Sequence, residues 1–177
     1  MHTDQQGGRE IMTDLYELTM AASYFEQEKF APATFSLFVR EYPPNRSYLV
    51  CAGLDPLLNY LESFHFRPDD LEFLQKTSLF PDRFLTYLEK LRFTGDVRAI
   101  PEGRIAFCDE PLLEITAPVM QAQLVETFVI NAINLSTLIA TKASRCLYAA
   151  GDRRLVDFSL RRTHGMDAGL MVARSSY

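Results

Sequence analysis

The sequence of 177 residues predicts an α/β fold, and three observations carry that expectation. Short β-rich runs alternate with amphipathic helical segments between residues 33 and 116. A long helical stretch opens at Pro118 and closes at Gly151. An apolar, β-branched and aromatic run at residues 155–160 then empties into Arg161, Arg162, His164 and Gly165. Read as a buried strand, that run belongs to a sheet of the kind that binds ligands beyond the carboxyl ends of its strands. The domain reading is a flexible arm at residues 1–10, an α+β domain with its leading helix at 11–117, and the opening of a β/α barrel or doubly wound sheet at 118–177.

In order, the apolar residues Ile11, Leu15, Leu18, Ala22 and Phe25 recur at helical spacing, with Thr13 or Asp14 as cap, and predict a helix over residues 14–28. Residues 33–40 and 47–52 are β-rich, and Pro43, Pro44 and Asn45 between them signal a turn. Three amphipathic helices follow at 55–64, 68–76 and 81–91, with Pro56, Pro68 and Pro81 standing where a helix can begin without losing a hydrogen bond. Residues 96–100, 104–108 and 112–116 read as three further short strands in a mostly antiparallel sheet. An unbroken helix from Pro118 to Gly151 would span about 50 Å, so a break is expected near residues 134–137.

Composition narrows the function classes. Hydrophobic residues at 47% and aromatics at 12% exclude a disordered chain. A net charge of −5 without a Lys/Arg stripe argues against a nucleic-acid binder. Cys51, Cys108 and Cys146 lie far apart beside apolar residues and read as reduced, buried thiols. The N-terminus lacks an apolar signal core, and polar residues interrupt 120–150, so a soluble, cytoplasmic protein without a membrane span is expected. No P-loop, G-x-G-x-x-G or metal-ligand cluster is present in the sequence.

The candidate site residues each have two readings. Arg161 and Arg162 suit bidentate binding of a carboxylate or phosphate, or else form an ion pair with Asp157 or Asp167. His164 reads as a catalyst or, better, as a site wall kept neutral by the adjacent arginines. Tyr16, on a face apart from Leu15, Leu18 and Ala22, reads as half-buried packing or as a flat ring offered to an aromatic ligand. Lys142 and Arg145 share a helix face that is either solvated or turned toward the same anion.

Five segments, in this order, resemble the nicotinate phosphoribosyltransferase family: T-D-L-Y-E-L-T-M at 13–20, P-P-N-R-S-Y-L-V at 43–50, F-T-G-D-V at 93–97, P-E-G at 101–103 and F-S-L-R-R-T-H-G-M-D-A-G at 158–169. The resemblance implies an α/β sandwich domain joined to an irregular α/β barrel of the quinolinate phosphoribosyltransferase type, of which this chain holds the sandwich and the opening helices and first strand. It implies formation of nicotinate mononucleotide from nicotinate and phosphoribosyl pyrophosphate, coupled to ATP hydrolysis, for NAD salvage. By the same resemblance Tyr16 lines the nicotinate pocket and Arg161 faces the anionic ligands, with Arg162, His164 and Asp167 matching the motif in less defined roles. The family's site lies near a dimer interface, so a homodimer, or a complementary barrel polypeptide, is the expected partner. The phosphohistidine, and the ATP and Mg²⁺ chemistry of the complete enzyme, are expected beyond Tyr177, which leaves no catalytic residue and no metal site in this segment and makes the chain inactive alone. The other reading is a non-catalytic remnant serving as an interaction or dimerisation module.

Overall fold

The computed structural model describes residues 11–42 and 44–177, so the 1–10 arm and Pro43 of the predicted turn lie outside the described residues. The elements are α1 (Leu15–Glu26), β1 (Pro32–Phe38), β2 (Leu49–Val50), α2 (Leu54–Ser63), α3 (Pro68–Thr77), α4 (Asp82–Lys90), β3 (Asp96–Ala99), β4 (Ile105–Ala106), β5 (Pro111–Pro118), α5 (Val119–Ala150) and α6 (Met166–Ser176). A single 3₁₀ turn, Leu160–Arg162, precedes α6. Three strands form a sheet in the order β1-β5-β3, and β2 pairs antiparallel with β4, Leu49 opposite Ala106 and Val50 opposite Ile105.

The chain divides into two compact units. The first takes the residues up to Phe35 with Leu58–Val97 and Glu114–Val129. Its core is aromatic: Phe25 lies 5.7 Å from Phe84 and 5.1 Å from Tyr87 between ring centroids, and Tyr60 stacks on Phe128 at 3.8 Å. Stacked and tilted pairs of this kind add to the burial energy of the rings. Gly95 belongs here because a Cβ at that position would sit 2.5 Å from the Ala117 Cβ and 2.7 Å from the Thr116 carbonyl oxygen.

The second unit takes Ser36–Leu57, Arg98–Leu113 and Ile130–Tyr177. Its buried centre includes Leu49, Leu57 and Leu113, and threonines of α5 finish the edge of β2. Thr141 Oγ1 accepts the Val50 amide at 2.9 Å, and Thr137 Oγ1 both accepts the Ala52 amide and donates to its carbonyl. Gly53, at φ +99°, turns the chain into α2 where a Cβ would come within 2.6 Å of the Ala132 carbonyl oxygen. At the C-terminus α6 packs back on the 3₁₀ turn.

Three expectations need correction. The long helix runs unbroken through all of its 32 residues, with no break at 134–137, where Ser136 and Thr137 are buried. By length and composition alone α5 could cross a membrane, yet half of its most apolar window packs inside the protein. Residues 155–160 form no strand: Leu155, Val156 and Phe158 are exposed, and no described strand pairs with them, so the run has the composition of a barrel strand without a ladder partner. Leu15 is also exposed, and the buried face of α1 is Glu17, Leu18 and Ala21.

Candidate functional site

In the first unit the T-D-L-Y-E motif places two carboxylates and a phenol around α1 and α5. Asp14, extended at φ −69° and ψ 140°, precedes the first turn, and its amide donates to Thr127 Oγ1 at 3.4 Å. Thr127 Oγ1 in turn donates to Glu17 Oε1 at 2.8 Å, while the Thr13 hydroxyl donates to Glu17 Oε2. Glu17 is 0% exposed, and burial pushes its pKa up to about 7, with the Glu126 and Asp14 carboxylates adding to the rise against the hydrogen bond from Thr127 and the nearby Tyr16 hydroxyl. Sequence reasoning passed over Glu17; its place four residues after Thr13, beside buried Leu18, was the available signal.

Tyr16 keeps 47% of its surface exposed, in an apolar stripe with Met12, Leu15 and Met20. Its hydroxyl donates to Glu126 Oε1 at 3.3 Å, and Gln123 Nε2 donates to Glu126 Oε2 at 2.9 Å. Partial desolvation, followed by the charges of Glu126 and Glu17, pushes the phenol up to about 12, so it stays a donor at neutral pH.

The other candidates lie in the second unit. Asp157 Oδ1 accepts the Ser159 amide at 2.8 Å and opens the 3₁₀ turn that carries both arginines. Successive residues of a 3₁₀ turn project about 120° apart, so Arg161 and Arg162 point in different directions. Both are exposed, and among the described residues neither has a carboxylate within ion-pair distance, so the pair with Asp157 or Asp167 does not form. His164 is exposed just before Gly165, whose φ of +104° starts α6. On α5 Lys142 is exposed and Arg145 half-buried.

Glu102 of the P-E-G motif is a further residue that sequence reasoning missed. Its Oε1 accepts the Gly53 and Leu54 amides at 2.6 and 2.9 Å, at the N-terminus of α2. Arg174 of α6 grips it in two bonds of 3.0 and 2.8 Å and also reaches Asp55. The Arg174 hydrogen bond, aided by the two amides, holds the Glu102 carboxyl below its ordinary value. The role is architectural, joining α6 to the start of α2. The cysteines are free; Cys51 is buried and its thiol pushed up by that burial, but Cys146 is exposed, against expectation. Among the described residues no three His, Cys, Asp or Glu side chains gather as metal ligands.

The architecture places the chain in a class. It superposes on human nicotinic acid phosphoribosyltransferase with a TM-score of 0.85 and 35% identity, covering 93% of this chain and 34% of that one. A Pyrococcus furiosus nicotinate-nucleotide pyrophosphorylase, at 19% identity and a TM-score of 0.76, shares the fold. This is thus an α/β scaffold shared by proteins of pyridine-nucleotide chemistry. Residues 11–134 match the N-terminal domain of nicotinate phosphoribosyltransferases, and the chain belongs to that family. It is 48% identical over 167 residues to the Mycobacterium tuberculosis enzyme and 41% identical over 169 residues to that of Bacillus subtilis. Those matches cover 94% of this chain and 36% and 34% of the relatives, so the chain spans about a third of their length.

Proposed function

We propose that this chain supplies the N-terminal part of a cytoplasmic nicotinate phosphoribosyltransferase, which forms nicotinate mononucleotide from nicotinate and phosphoribosyl pyrophosphate with ATP hydrolysis in NAD salvage. The observation that carries the reading is the pair of exposed guanidiniums at Arg161 and Arg162, which find no carboxylate partner among the described residues, in a chain of this family. A planar guanidinium matches a carboxylate or phosphate in two parallel bonds. Arg161 binds the anionic ligands, Arg162 and His164 flank them, and Tyr16 offers its ring face to the pyridine. In the transfer, the pyridine nitrogen forms a bond to C1 of the ribose as the bond to pyrophosphate breaks, and holding the ring in line is the protein's contribution. ATP and Mg²⁺ act in the complete enzyme, where the cation would stabilise the departing pyrophosphate. Tyr16 and Arg161 of one site come from two subunits of a homodimer, or the barrel is completed by a second polypeptide.

The test is formation of nicotinate mononucleotide from nicotinate, phosphoribosyl pyrophosphate, ATP and Mg²⁺. The purified chain alone is expected to form none, and the chain joined to a barrel polypeptide is expected to form it. Product from the chain alone overturns its inactivity; no product after joining favours the non-catalytic module. In the joined enzyme Arg161→Lys, which keeps charge and removes the fork, is expected to weaken binding of the anionic substrate by about 10- to 100-fold. Full binding in that variant, with loss in Arg162→Lys, would assign the role to Arg162 instead.

A further inference from the structure

An exposed tyrosine ordinarily samples several rotamers. Tyr16 is held at both root and tip. At the root, Thr127 accepts the Asp14 amide and donates to Glu17, whose carboxylate also takes the Thr13 hydroxyl, so the backbone on either side of Tyr16 is tied to α5. At the tip, the phenol donates to Glu126, and Gln123, only 3% exposed, fixes the other oxygen of that carboxylate. Stacking rewards a flat ligand only where the ring plane is set in advance. We propose that Glu126 is a positioning residue: by accepting the Tyr16 hydroxyl it holds the ring with its face open to a planar aromatic carboxylate. The inference rests on the nicotinate reading given above for Tyr16. A phenol raised to about 12 keeps its proton, and therefore the hydrogen bond, throughout the neutral range.

The experiment has two readouts, the first on the 177-residue chain. Three-bond Hα–Hβ couplings of residue 16 report its rotamer without any ligand. A single pinned rotamer is expected in the wild type and in Glu126→Gln, which keeps an acceptor oxygen; averaged couplings are expected in Glu126→Ala and in Tyr16→Phe. Pinned couplings in Glu126→Ala overturn the proposal. The second readout is titration of the chain joined to a barrel polypeptide with nicotinate, observed on the ligand signals. Glu126→Ala and Tyr16→Phe are each expected to weaken binding by about 3- to 10-fold, and the double variant no more than either single one. Glu126→Gln is expected to bind as the wild type does. Additive losses overturn the positioning role, because a merely structural Glu126 would act independently of the hydroxyl. Absence of nicotinate binding, or full binding by Tyr16→Ala, defeats the pocket reading instead, while the couplings still decide whether Glu126 holds the ring.

Discussion

Glu17 and Glu102 are the same side chain in opposite surroundings. Glu17, fully buried, receives hydrogen bonds from two threonine hydroxyls, and no cation pairs with it among the described residues; its pKa rises to about 7. Glu102, whose side chain is 29% exposed, receives two backbone amides and a guanidinium, and its pKa falls. The donors that accompany burial, rather than depth alone, decide the direction. Neutral hydroxyls do not replace lost hydration of a carboxylate, whereas oriented amides and an arginine do.

The largest expected effect is on the pH dependence of stability. Folded Glu17 holds its proton more tightly than the unfolded chain does, so its contribution is full below about pH 4.5 and is lost as the pH rises to about 7. The loss is about 3 kcal/mol at most. Glu17→Gln has no proton to lose, and urea unfolding of both proteins across this window is expected to show the wild type losing ground to the variant as pH rises. A constant difference between them would mean that Glu17 has the same pKa in the folded and unfolded chain, and the contrast with Glu102 would collapse.

Next in size is Glu102→Ala, which strands two amides at the start of α2 and frees Arg174; a cost of about 2 kcal/mol is expected. The pH trend is the reverse of that at Glu17: the wild-type contribution is present above the ordinary carboxylate value and fades as the pH falls through the lowered one. Denaturant midpoints at neutral and acid pH separate the two. Arg174→Ala sharpens the comparison further, since Arg174 is 43% exposed and screened, and a loss of only about 0.5–1 kcal/mol is expected. Were it to match the loss in Glu102→Ala, the guanidinium rather than the amides would carry the Glu102 environment.

Local signals read well in this sequence. Pro68 opens α3 and Pro81 caps α4, and each of the five described strands falls within its expected β-rich run or extends it by no more than two residues at either end. What escaped depended on tertiary neighbours. The break expected near residues 134–137 is absent, and there Thr137 bonds the Ala52 amide, a partner the sequence does not show. Glu17 sits where an apolar residue belongs, and Thr13 hinted at it in the sequence, but its other donor, Thr127, is 110 positions away. Residues 155–160 have strand composition, but a strand exists only by pairing. At the candidate site, Tyr16, Arg161, Arg162 and His164 stood out by residue type and motif, whereas Glu126 did not, because a helical glutamate reads as a solvated one until its partner is seen.

The unpaired run at residues 155–160 also bears on how the protein behaves in concentrated solution. A short apolar, β-prone segment that belongs to no described sheet is a template for pairing with its own copies, and so a seed for aggregation. Here it is bracketed by Arg153 and Arg154 on one side and Arg161 and Arg162 on the other, all exposed. Stacking two such segments in register would bring like charges together at both ends, so the four arginines act as gatekeepers. A substitution at Arg161 that discards its charge would therefore confuse precipitation with lost affinity in a binding assay.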